Sequence, residues 1–264
     1  MIVHFSKYHG TGNDFILIDG RDQGTFTPEE KDIAALCHRR FGIGADGLII
    51  LEESSSADFR MRYYNSDGRE GSMCGNGGRC ITAFARDRKI TGLNTVFEGI
   101  DGLHEASVLP GNEVRLKLKD VEGIRWLGDG YLVDTGSPHF VRFLEDVEEK
   151  DMNTEGRGIR MQERFSPAGV NVNFVQGTPH SGFLKVRTFE RGVEAETLSC
   201  GTGVTASAIC AYYHFKTDIL SYNVETPGGK LQVSFRAKHH HRFSDIHLCG
   251  PALHVYDGTV EIGS

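Results

Sequence analysis

The sequence has no apolar run long enough to cross a bilayer, and its first residues, MIVHFSKYHG, lack the charged start and apolar stretch of a signal peptide. It also has no excess of basic residues, because 29 Lys and Arg stand against 36 Asp and Glu and give a net charge of -7. That balance argues against nucleic acid or an anionic membrane surface as a partner. We therefore expect a cytoplasmic protein that acts on a small organic molecule, with a homodimer as an assembly that the sequence allows.

The six cysteines do not form a metal-binding pattern. No C-x-x-C occurs, and Cys74 and Cys80 are separated by five residues, unlike the ligands of a zinc site. Without an export signal, the thiols are expected to be reduced rather than paired. The run from His239 to His241 is internal and flanked by basic residues, which favours a solvated loop. We expect no metal site.

A weak repeat divides the chain into two halves. Four segments recur in the same order at an offset of 125 to 127 residues, which is hard to obtain by chance. We interpret the chain as an internal duplication, with one half at 1–120 and the other at 121–252. The last segment, 253–264, is expected to return to the first half as a strand. The matched residues are Phe15 and Phe140, Arg62 and Arg187, Cys74 and Cys200, and Gly102 and Gly229.

Short runs of alternating hydrophobicity, such as FILID, FRMRYY and LQVSF, predict strands of four to seven residues. Thr27 followed by Pro28 predicts a helix start with Thr27 as the N-cap. Further helices are expected to begin just after Cys74 and Cys200, where apolar residues recur at helical spacing. The expected fold is α/β (α+β), with two pseudo-symmetric domains. Each would be a rolled or barrel-like, mainly antiparallel sheet around a central helix, with the site between the domains.

A cysteine at the mouth of a helix has a definite chemistry. The helix dipole favours the thiolate and lowers the thiol pKa, and the unpaired amides that follow can bind a carboxylate. Two such helix starts could place a thiolate and a thiol on opposite faces of one α-carbon, so that one removes a proton and the other returns one. Cys74 and Cys200 therefore predict a cofactor-independent amino-acid epimerase. The other four thiols, those of Cys37, Cys80, Cys210 and Cys249, are interpreted as packing residues.

Two alternatives come from other classes of protein. The stretch from Gly201 to Ala206 fits G-x-G-x-x-A, and Glu225 follows it, as in a nucleotide-binding module. That pattern is weak alone, and the first half of the chain lacks it. A thiol hydrolase could pair one cysteine with His139, but it would leave the second cysteine without a role.

Eight motifs together resemble the diaminopimelate epimerase family, in order and along nearly the whole chain. This resemblance implies conversion of LL-2,6-diaminopimelate to the meso form, without pyridoxal phosphate or metal, on the route to lysine and peptidoglycan. A racemase or epimerase of another amino acid, of the proline or hydroxyproline type, is the nearer alternative. The motifs are GTGNDF, RRFGIGADGL, YYNSDG, MCGNGGRC, TGSPHFV, NVNFVQ, FERGVEAET and SCGTGVTA.

The resemblance also implies roles for individual residues. Cys74 and Cys200 would be the acid and base, and His139 and Glu190 would tune the thiols. The carboxylate at the reacting centre would bind to Gly75, Asn76, Gly201 and Thr202. The distal end of the substrate would be held by Asn13, Asn65, Asn171, Glu190 and Arg191.

Three positions depart from the usual family pattern. Gly47 stands where many members have Gln, Ser137 where many have Asn, and Thr202 where many have Ser. We expect Thr202 to act mainly through its backbone, so this change is neutral. Gly47 and Ser137 remove side-chain contacts to the substrate that other members can make.

Overall fold

A computed structural model of the chain describes residues 1–21, 27–71, 73–239 and 241–262. Within these ranges the helices are α1 (Glu30–Cys37), α2 (Gly75–Asp87), α3 (Met152–Arg160) and α4 (Gly201–Phe215). The strands are β1 (Ile2–Gly10), β2 (Asn13–Asp19), β3 (Gly47–Glu52), β4 (Phe59–Asn65), β5 (Asn94–Gly99), β6 (Gly102–Leu109), β7 (Glu113–Leu118), β8 (Ile124–Trp126), β9 (Tyr131–Asp134), β10 (Pro138–Phe143), β11 (Asn171–Gly177), β12 (Phe183–Glu190), β13 (Ala195–Thr197), β14 (Ser221–Thr226), β15 (Gly229–Lys238), β16 (Arg242–Pro251) and β17 (Leu253–Glu261). No helix among the described residues is both long and apolar enough to span a membrane.

The chain forms two compact units, one made of 1–116 with 250–264 and the other of 117–249. The last strand, β17, pairs antiparallel with β1, so that Ile2 lies opposite Glu261. The sequence predicted two homologous halves, one at 1–120 with 253–264 and the other at 121–252. That these halves arose by duplication stays a prediction.

The strand pairings of the first unit repeat in the second. In the first unit, β1–β2 is antiparallel, β2–β3 parallel, β3–β4 antiparallel, β4–β5 parallel and β5–β6 antiparallel. In the second unit the same alternation runs through β9–β10, β10–β11, β11–β12, β12–β14 and β14–β15. Phe15 lies opposite Gly47, and Phe140 opposite Val172, at the offset of 125 found in the sequence. Each sheet is thus mainly antiparallel.

A buried helix lies inside each sheet. In the first unit α2 packs against β1, β2, β3 and β6, and in the second unit α4 packs against β9 to β12, β14 and β15. All residues of α2 from Gly75 to Ala85 are buried. Small residues let the surrounding strands come close, and each fully buried side chain such as Val204 or Ile209 contributes about 1.5–3 kcal/mol. The predicted α/β fold class is confirmed, and so are helix starts directly after Cys74 and Cys200.

The predicted start of α1 is wrong by a few residues. The helix begins at Glu30 with Glu29 as its N-cap, rather than after Thr27. The Asp32 carboxylate accepts a hydrogen bond from the Glu29 N–H at 3.1 Å, which satisfies a donor at the helix start. Since Glu29 and Asp32 complete this cap, Pro28 stays outside the helix.

Candidate active site

Cys74 and Cys200 occupy the same position at the start of two helices. Each is the N-cap residue with an extended backbone, and each carbonyl accepts the first intrahelical hydrogen bond, from Gly78 at 2.7 Å and from Val204 at 2.9 Å. Both thiols are unbridged. The amides before those first bonds lie at the positive end of a helix dipole, which is an anion-binding arrangement. The two positions share their backbone chemistry.

The thiol of Cys74 faces a chain of amide groups. Its Sγ lies 3.7 Å from Oδ1 of Asn13, and the amide nitrogen of Asn76 donates to the same oxygen at 3.2 Å. The guanidinium of Arg79 donates to Oδ1 of Asn76 at 3.0 Å and to Oγ1 of Thr11 at 3.2 Å. Arg79 is completely buried, so a fixed positive charge stands behind the thiol.

A cluster of charged residues anchors Asn13 from the other side. The amide nitrogen of Asn13 donates to the Asp46 carboxylate at 2.7 Å. Arg39 contacts the carboxylates of Asp46 and Asp14 at 2.6 and 2.7 Å, and Lys7 contacts that of Asp14 at 2.8 Å. Burial raises the pKa of Asp14, but the hydrogen bonds from Arg39 and Lys7 outweigh it and bring the pKa down to about 2. The cluster therefore holds the turn between β1 and β2, and with it Asn13.

The thiol of Cys200 faces hydroxyl groups instead. Its Sγ lies 3.4 Å from Oγ1 of Thr202, which lies 2.9 Å from Nε2 of His139. The Ser137 hydroxyl lies 3.0 Å from the same nitrogen and 3.3 Å from Oγ1 of Thr202. The expectation that Thr202 acts mainly through its backbone therefore omits a side-chain contact to the thiol. The hydroxyl of Thr202 joins Cys200 to His139.

His139 is fully buried and electrically neutral. Burial, together with the positive charge of Arg191, lowers its pKa from 6.5 to about 3. Nδ1 of His139 accepts a hydrogen bond from the amide nitrogen of Asn173 at 3.0 Å, and Oδ1 of Asn173 accepts one from Thr188 at 2.9 Å. A side chain at Gly203 would not fit, because its Cβ would lie 2.4 Å from Oδ1 of Asn173. The glycine in α4 makes room for the residue that orients the imidazole.

Asn171, Glu190 and Arg191 come together in the second unit, where β11 begins and β12 ends. The amide oxygen of Asn171 accepts from the Arg191 N–H at 2.9 Å, and its nitrogen donates to Ser137 at 3.2 Å. The guanidinium of Arg191 donates to the carbonyl of Ala168 at 3.0 Å. The carbonyl of Glu190 accepts from the Glu194 N–H at 2.8 Å, closing a turn. This group borders the network of Cys200.

Asn65 and Gly47 are opposite one another at the edge of β3 and β4. The Tyr63 hydroxyl donates to Oδ1 of Asn65 at 2.9 Å. The ring of Tyr63 lies between two glycines, because a Cβ on Gly47 would be 2.6 Å from it and one on Gly71 2.7 Å. Near Cys74, a Cβ added at Gly77 would lie 3.1 Å from the side chain of Ile49 and 3.3 Å from that of Met61. Tyr63 thus occupies the space of the missing side chain at Gly47.

Several residues that touch the predicted site were not predicted from the sequence. Asn173, Thr11 and Arg79 are among them, although an arginine in a helix start built from glycines was a visible signal. The remaining buried thiols suit a packing role, since burial raises the pKa of Cys37, Cys80 and Cys210.

The glycine pattern from Gly201 to Ala206 lies in α4 itself, as the nucleotide-binding alternative requires. The strand before it, however, is the three-residue β13, which pairs antiparallel with β12. In a dinucleotide fingerprint the glycines directly follow the first strand of a parallel β-α-β unit, whereas here β13 separates the parallel strand β12 from the glycines. A groove of about 580 Å³ in the second unit includes Glu225. Both basic residues of its wall are engaged by carboxylates, Arg187 by Glu196 at 2.7 Å and Lys185 by Glu148 at 3.2 Å.

Comparison with known proteins identifies relatives over nearly the whole chain. The family model described as diaminopimelate epimerase matches residues 5–115 and 131–254. A diaminopimelate epimerase of Flavobacterium psychrophilum is 48% identical over 255 residues, which are 96% of this chain and 98% of that protein. One of Chlorobaculum tepidum is 43% identical over an alignment of 264 positions, which covers 96% of this chain and 99% of that protein.

Solved structures share the fold at low sequence identity. A PhzF-family phenazine biosynthesis protein of Bacillus anthracis has a TM-score of 0.78 at 16% identity, covering 99% of this chain and all (100%) of that one. A probable proline racemase from Agrobacterium radiobacter K84 has a TM-score of 0.72 at 13% identity, covering 99% and 93%. At such identities the likeness concerns the fold alone.

Proposed function

This chain belongs to the diaminopimelate epimerase family, and from that premise we propose that it interconverts LL-2,6-diaminopimelate and meso-diaminopimelate with Cys74 and Cys200 as its two bases. The protein is accordingly an isomerase of a family that works without pyridoxal phosphate, in lysine biosynthesis. The observation that supports the two-base mechanism is that both thiols are N-cap residues of equivalent buried helices.

The substrate carboxylate at the reacting centre would be bound by backbone amides. Gly75 and Asn76 in α2, and Gly201 and Thr202 in α4, precede or surround the first intrahelical hydrogen bond of each helix. Amides in that position bind anions because they point at the ligand and lie at the positive end of the dipole. The charge that develops on the carboxylate as the α-proton leaves would be stabilised in the same way.

The chemical step is a pair of proton transfers. One sulfur, as thiolate, takes the α-proton, and the electrons of the broken C–H bond stay on the substrate. The other sulfur, as thiol, gives its proton to the opposite face of the same carbon and becomes the thiolate. The configuration is inverted, no net proton is consumed, and the two thiols exchange roles in the reverse direction.

The distal amino-acid end of the substrate would be bound by Asn13, Asn65, Asn171, Glu190 and Arg191. A guanidinium suits the distal carboxylate, and amide oxygens suit the ammonium group. Ser137 is tied into the network of His139 and Asn171 in this chain, which supports a role in orienting those residues. His139 would act on Cys200 through Thr202, and Glu190 would act beside Arg191.

The experiment that tests this function is solvent exchange. In deuterium oxide, the purified protein should introduce deuterium at the α-carbon of one centre of diaminopimelate without any added cofactor, as followed by NMR. A strict requirement for pyridoxal phosphate or NAD would reject the function. Proline and hydroxyproline belong in the same panel, because exchange on them but not on diaminopimelate would assign a different substrate.

The cellular setting is part of the same proposal. We place the reaction in the cytoplasm, where amino-acid precursors are made, and expect no nucleic-acid partner from the net charge of -7. A homodimer stays a prediction that sedimentation equilibrium would test. Recovery of the protein in the membrane or nucleoid fraction of lysed cells would contradict the setting.

A further inference from the structure

We propose that the hydrogen-bond networks around the two thiols hold them in opposite protonation states in the resting protein, with Cys74 as the thiol and Cys200 as the thiolate. The assignment rests on the proposed function for the acid and base roles of the two residues. Around Cys74 the direction of each hydrogen bond follows from donors and acceptors in the protein alone. Around Cys200 the hydroxyls of Ser137 and Thr202 can each donate or accept, and their direction is part of the proposal.

Around Cys74 the network ends in an acceptor. A guanidinium only donates, so the atom of Asn76 that meets Arg79 at 3.0 Å is the amide oxygen. The amide nitrogen of Asn76 therefore points to Asn13, whose own nitrogen is held by the Asp46 carboxylate at 2.7 Å. Both ends fix the orientation of Asn13, and its oxygen faces Sγ of Cys74. A hydrogen bond between that oxygen and the sulfur needs the proton on Cys74.

Around Cys200 the network begins by fixing the tautomer of His139. The amide nitrogen of Asn173 donates to the carbonyl of Phe140 at 3.4 Å and to Nδ1 of His139 at 3.0 Å. The amide oxygen of Asn173 points the other way, to the hydroxyl of Thr188. Nδ1 of His139 is therefore an acceptor. Because the buried imidazole is neutral, its single proton is on Nε2.

The proton on Nε2 sets the direction of the two hydroxyls. Nε2 of His139 lies 2.9 Å from Oγ1 of Thr202 and 3.0 Å from the Ser137 hydroxyl, which also receives the amide nitrogen of Asn171 at 3.2 Å. Donors thus enter the hydroxyl pair from His139 and from Asn171, whose nitrogen is closer to Ser137 than to Nε2, at 3.5 Å. In the proposed arrangement Ser137 donates to Oγ1 of Thr202 at 3.3 Å, which leaves the Thr202 hydrogen for the sulfur. Oγ1 of Thr202 is 3.4 Å from Sγ of Cys200, and in this arrangement the hydroxyl donates to the sulfur. A sulfur that accepts from a hydroxyl is stabilised as the thiolate.

If the two thiols rest in opposite protonation states, the side chains of Arg79, Asn76 and Asn173 have a function in maintaining those states. In the proposed mechanism Arg79 and Asn173 do not bind the substrate, and Asn76 binds it only through its backbone amide. Their side chains are positioning groups that orient Asn13 and His139. Arg79 and Asn173 are completely buried and Asn76 nearly so, which strengthens hydrogen bonds and limits reorientation.

A brief pulse of iodoacetamide at neutral pH, followed by mass mapping of the ligand-free protein, tests the assignment. The thiolate is the reactive form, so we expect Cys200 to be alkylated about tenfold faster than Cys74. Accessibility predicts the opposite order, because Cys200 is only 8% exposed and Cys74 is more open. Faster labelling of Cys74 would overturn the proposal.

Variants of Thr202 separate the hydrogen bond from packing. Thr202→Val keeps the shape but removes the hydroxyl, and should slow the alkylation of Cys200 by about tenfold, whereas Thr202→Ser keeps the hydroxyl and should stay within about twofold of the parent. Equal rates for Thr202→Val and the parent would contradict the role of the hydroxyl.

Nitrogen-15 NMR of the unmutated protein provides a measurement that needs no variant. Its signals should place the proton of His139 on Nε2, and a proton on Nδ1 would overturn the proposal because Thr202 would then donate to the ring. Labelling order and tautomer are measured without substrate. A protein that shows both expected results but no exchange on diaminopimelate would refute the proposed function and leave this assignment standing.

Discussion

The helix starts of α2 and α4 share a backbone and differ in the side chains behind it. At Cys74 the neighbours are amides that lead to a buried guanidinium and a cluster of carboxylates. At Cys200 they are hydroxyls that lead to a neutral imidazole. The two helix starts therefore share the part that binds an anion, which needs only amides and glycines. They differ in the side chains that decide where a proton rests, as a reaction needing one acid and one base requires.

The largest expected effect comes from removing either thiol. Cys74→Ala and Cys200→Ala should each reduce epimerisation by about 10³-fold or more, because each variant loses one of the two proton-transfer groups. The rate of meso-diaminopimelate formation, measured by chiral chromatography, checks this. Cys249→Ala removes a thiol that lies on β16 outside the predicted site and is the matched control. Substantial activity in only one of the two alanine variants would mean that the helix starts are not partners in catalysis.

The second effect concerns stability at acidic pH. His139, behind Cys200, and Asp14, in the charged cluster near Cys74, should lose their contributions to stability over different pH ranges. The His139 pKa is lowered to about 3, so between about pH 6.5 and 3 the unfolded chain binds a proton that the folded chain does not. Stability from neutral His139 is full above pH 6.5 and is lost as the pH falls toward 3. Asp14 has a pKa lowered to about 2, so its contribution is full above about pH 4 and is lost only below that value.

Urea unfolding at pH 7, 5.5 and 4.5 distinguishes these two contributions. The free energy of unfolding should fall by a few kcal/mol (on the order of 2) over this range, and His139→Gln should flatten the fall. Asp14→Asn should lower stability at all three pH values without changing the slope. An unchanged slope in His139→Gln would show that His139 is not the titrating group.

A third comparison uses the glycines three positions after each cysteine. A Cβ at Gly203 would lie 2.4 Å from the amide oxygen of Asn173, whereas one at Gly77 would lie 3.1 Å from the flexible end of Ile49. Gly203→Ala should therefore cost about 1–3 kcal/mol of stability and displace Asn173 from His139, while Gly77→Ala should stay within about 1 kcal/mol. Thermal unfolding and kcat of both variants check this. Equal losses would show that the two helix starts are packed alike.

The smallest effect is expected at Tyr63 on β4. Tyr63→Phe keeps the ring between Gly47 and Gly71 but removes the hydroxyl that orients Asn65, so KM for diaminopimelate should rise about threefold with little change in kcat. Tyr64→Phe is the control, since the Tyr64 hydroxyl contacts Arg62 and not Asn65. A loss of kcat with KM unchanged would indicate that Tyr63 acts on Cys74 and not on substrate binding.

Local patterns predicted much of this architecture. Alternating apolar residues predicted the strands, and the glycines after each cysteine predicted the helix starts, because both signals are local in the chain. The start of α1 was misplaced by the same kind of reasoning. Thr27 and Pro28 form a good local signal, yet Glu29 and Asp32 cap the helix instead. Competing caps a few residues apart cannot be ranked without knowing where the helix packs.

The orientation of the side chains in the site could not be predicted from local sequence patterns. Thr202 was expected to act mainly through its backbone, and no role was predicted for Asn173. Nothing local in the chain reveals that both side chains contact a buried imidazole 34 and more residues away. The same holds for Tyr63, whose ring fills the space at Gly47 only because β3 and β4 pair in that register.

The amino-acid sequence by itself determined the recurrence of segments at an offset of 125 to 127 residues, the two cysteines at glycine-rich helix starts and the family, since these depend on residue identity and spacing. Only the tertiary structure decided which groups stand behind each sulfur and in which direction their hydrogen bonds run. The physical reason is that a side-chain amide or hydroxyl can donate or accept, and its choice is made by partners from distant strands. Arg79 behind Asn76 and Asn173 behind His139 make that choice here.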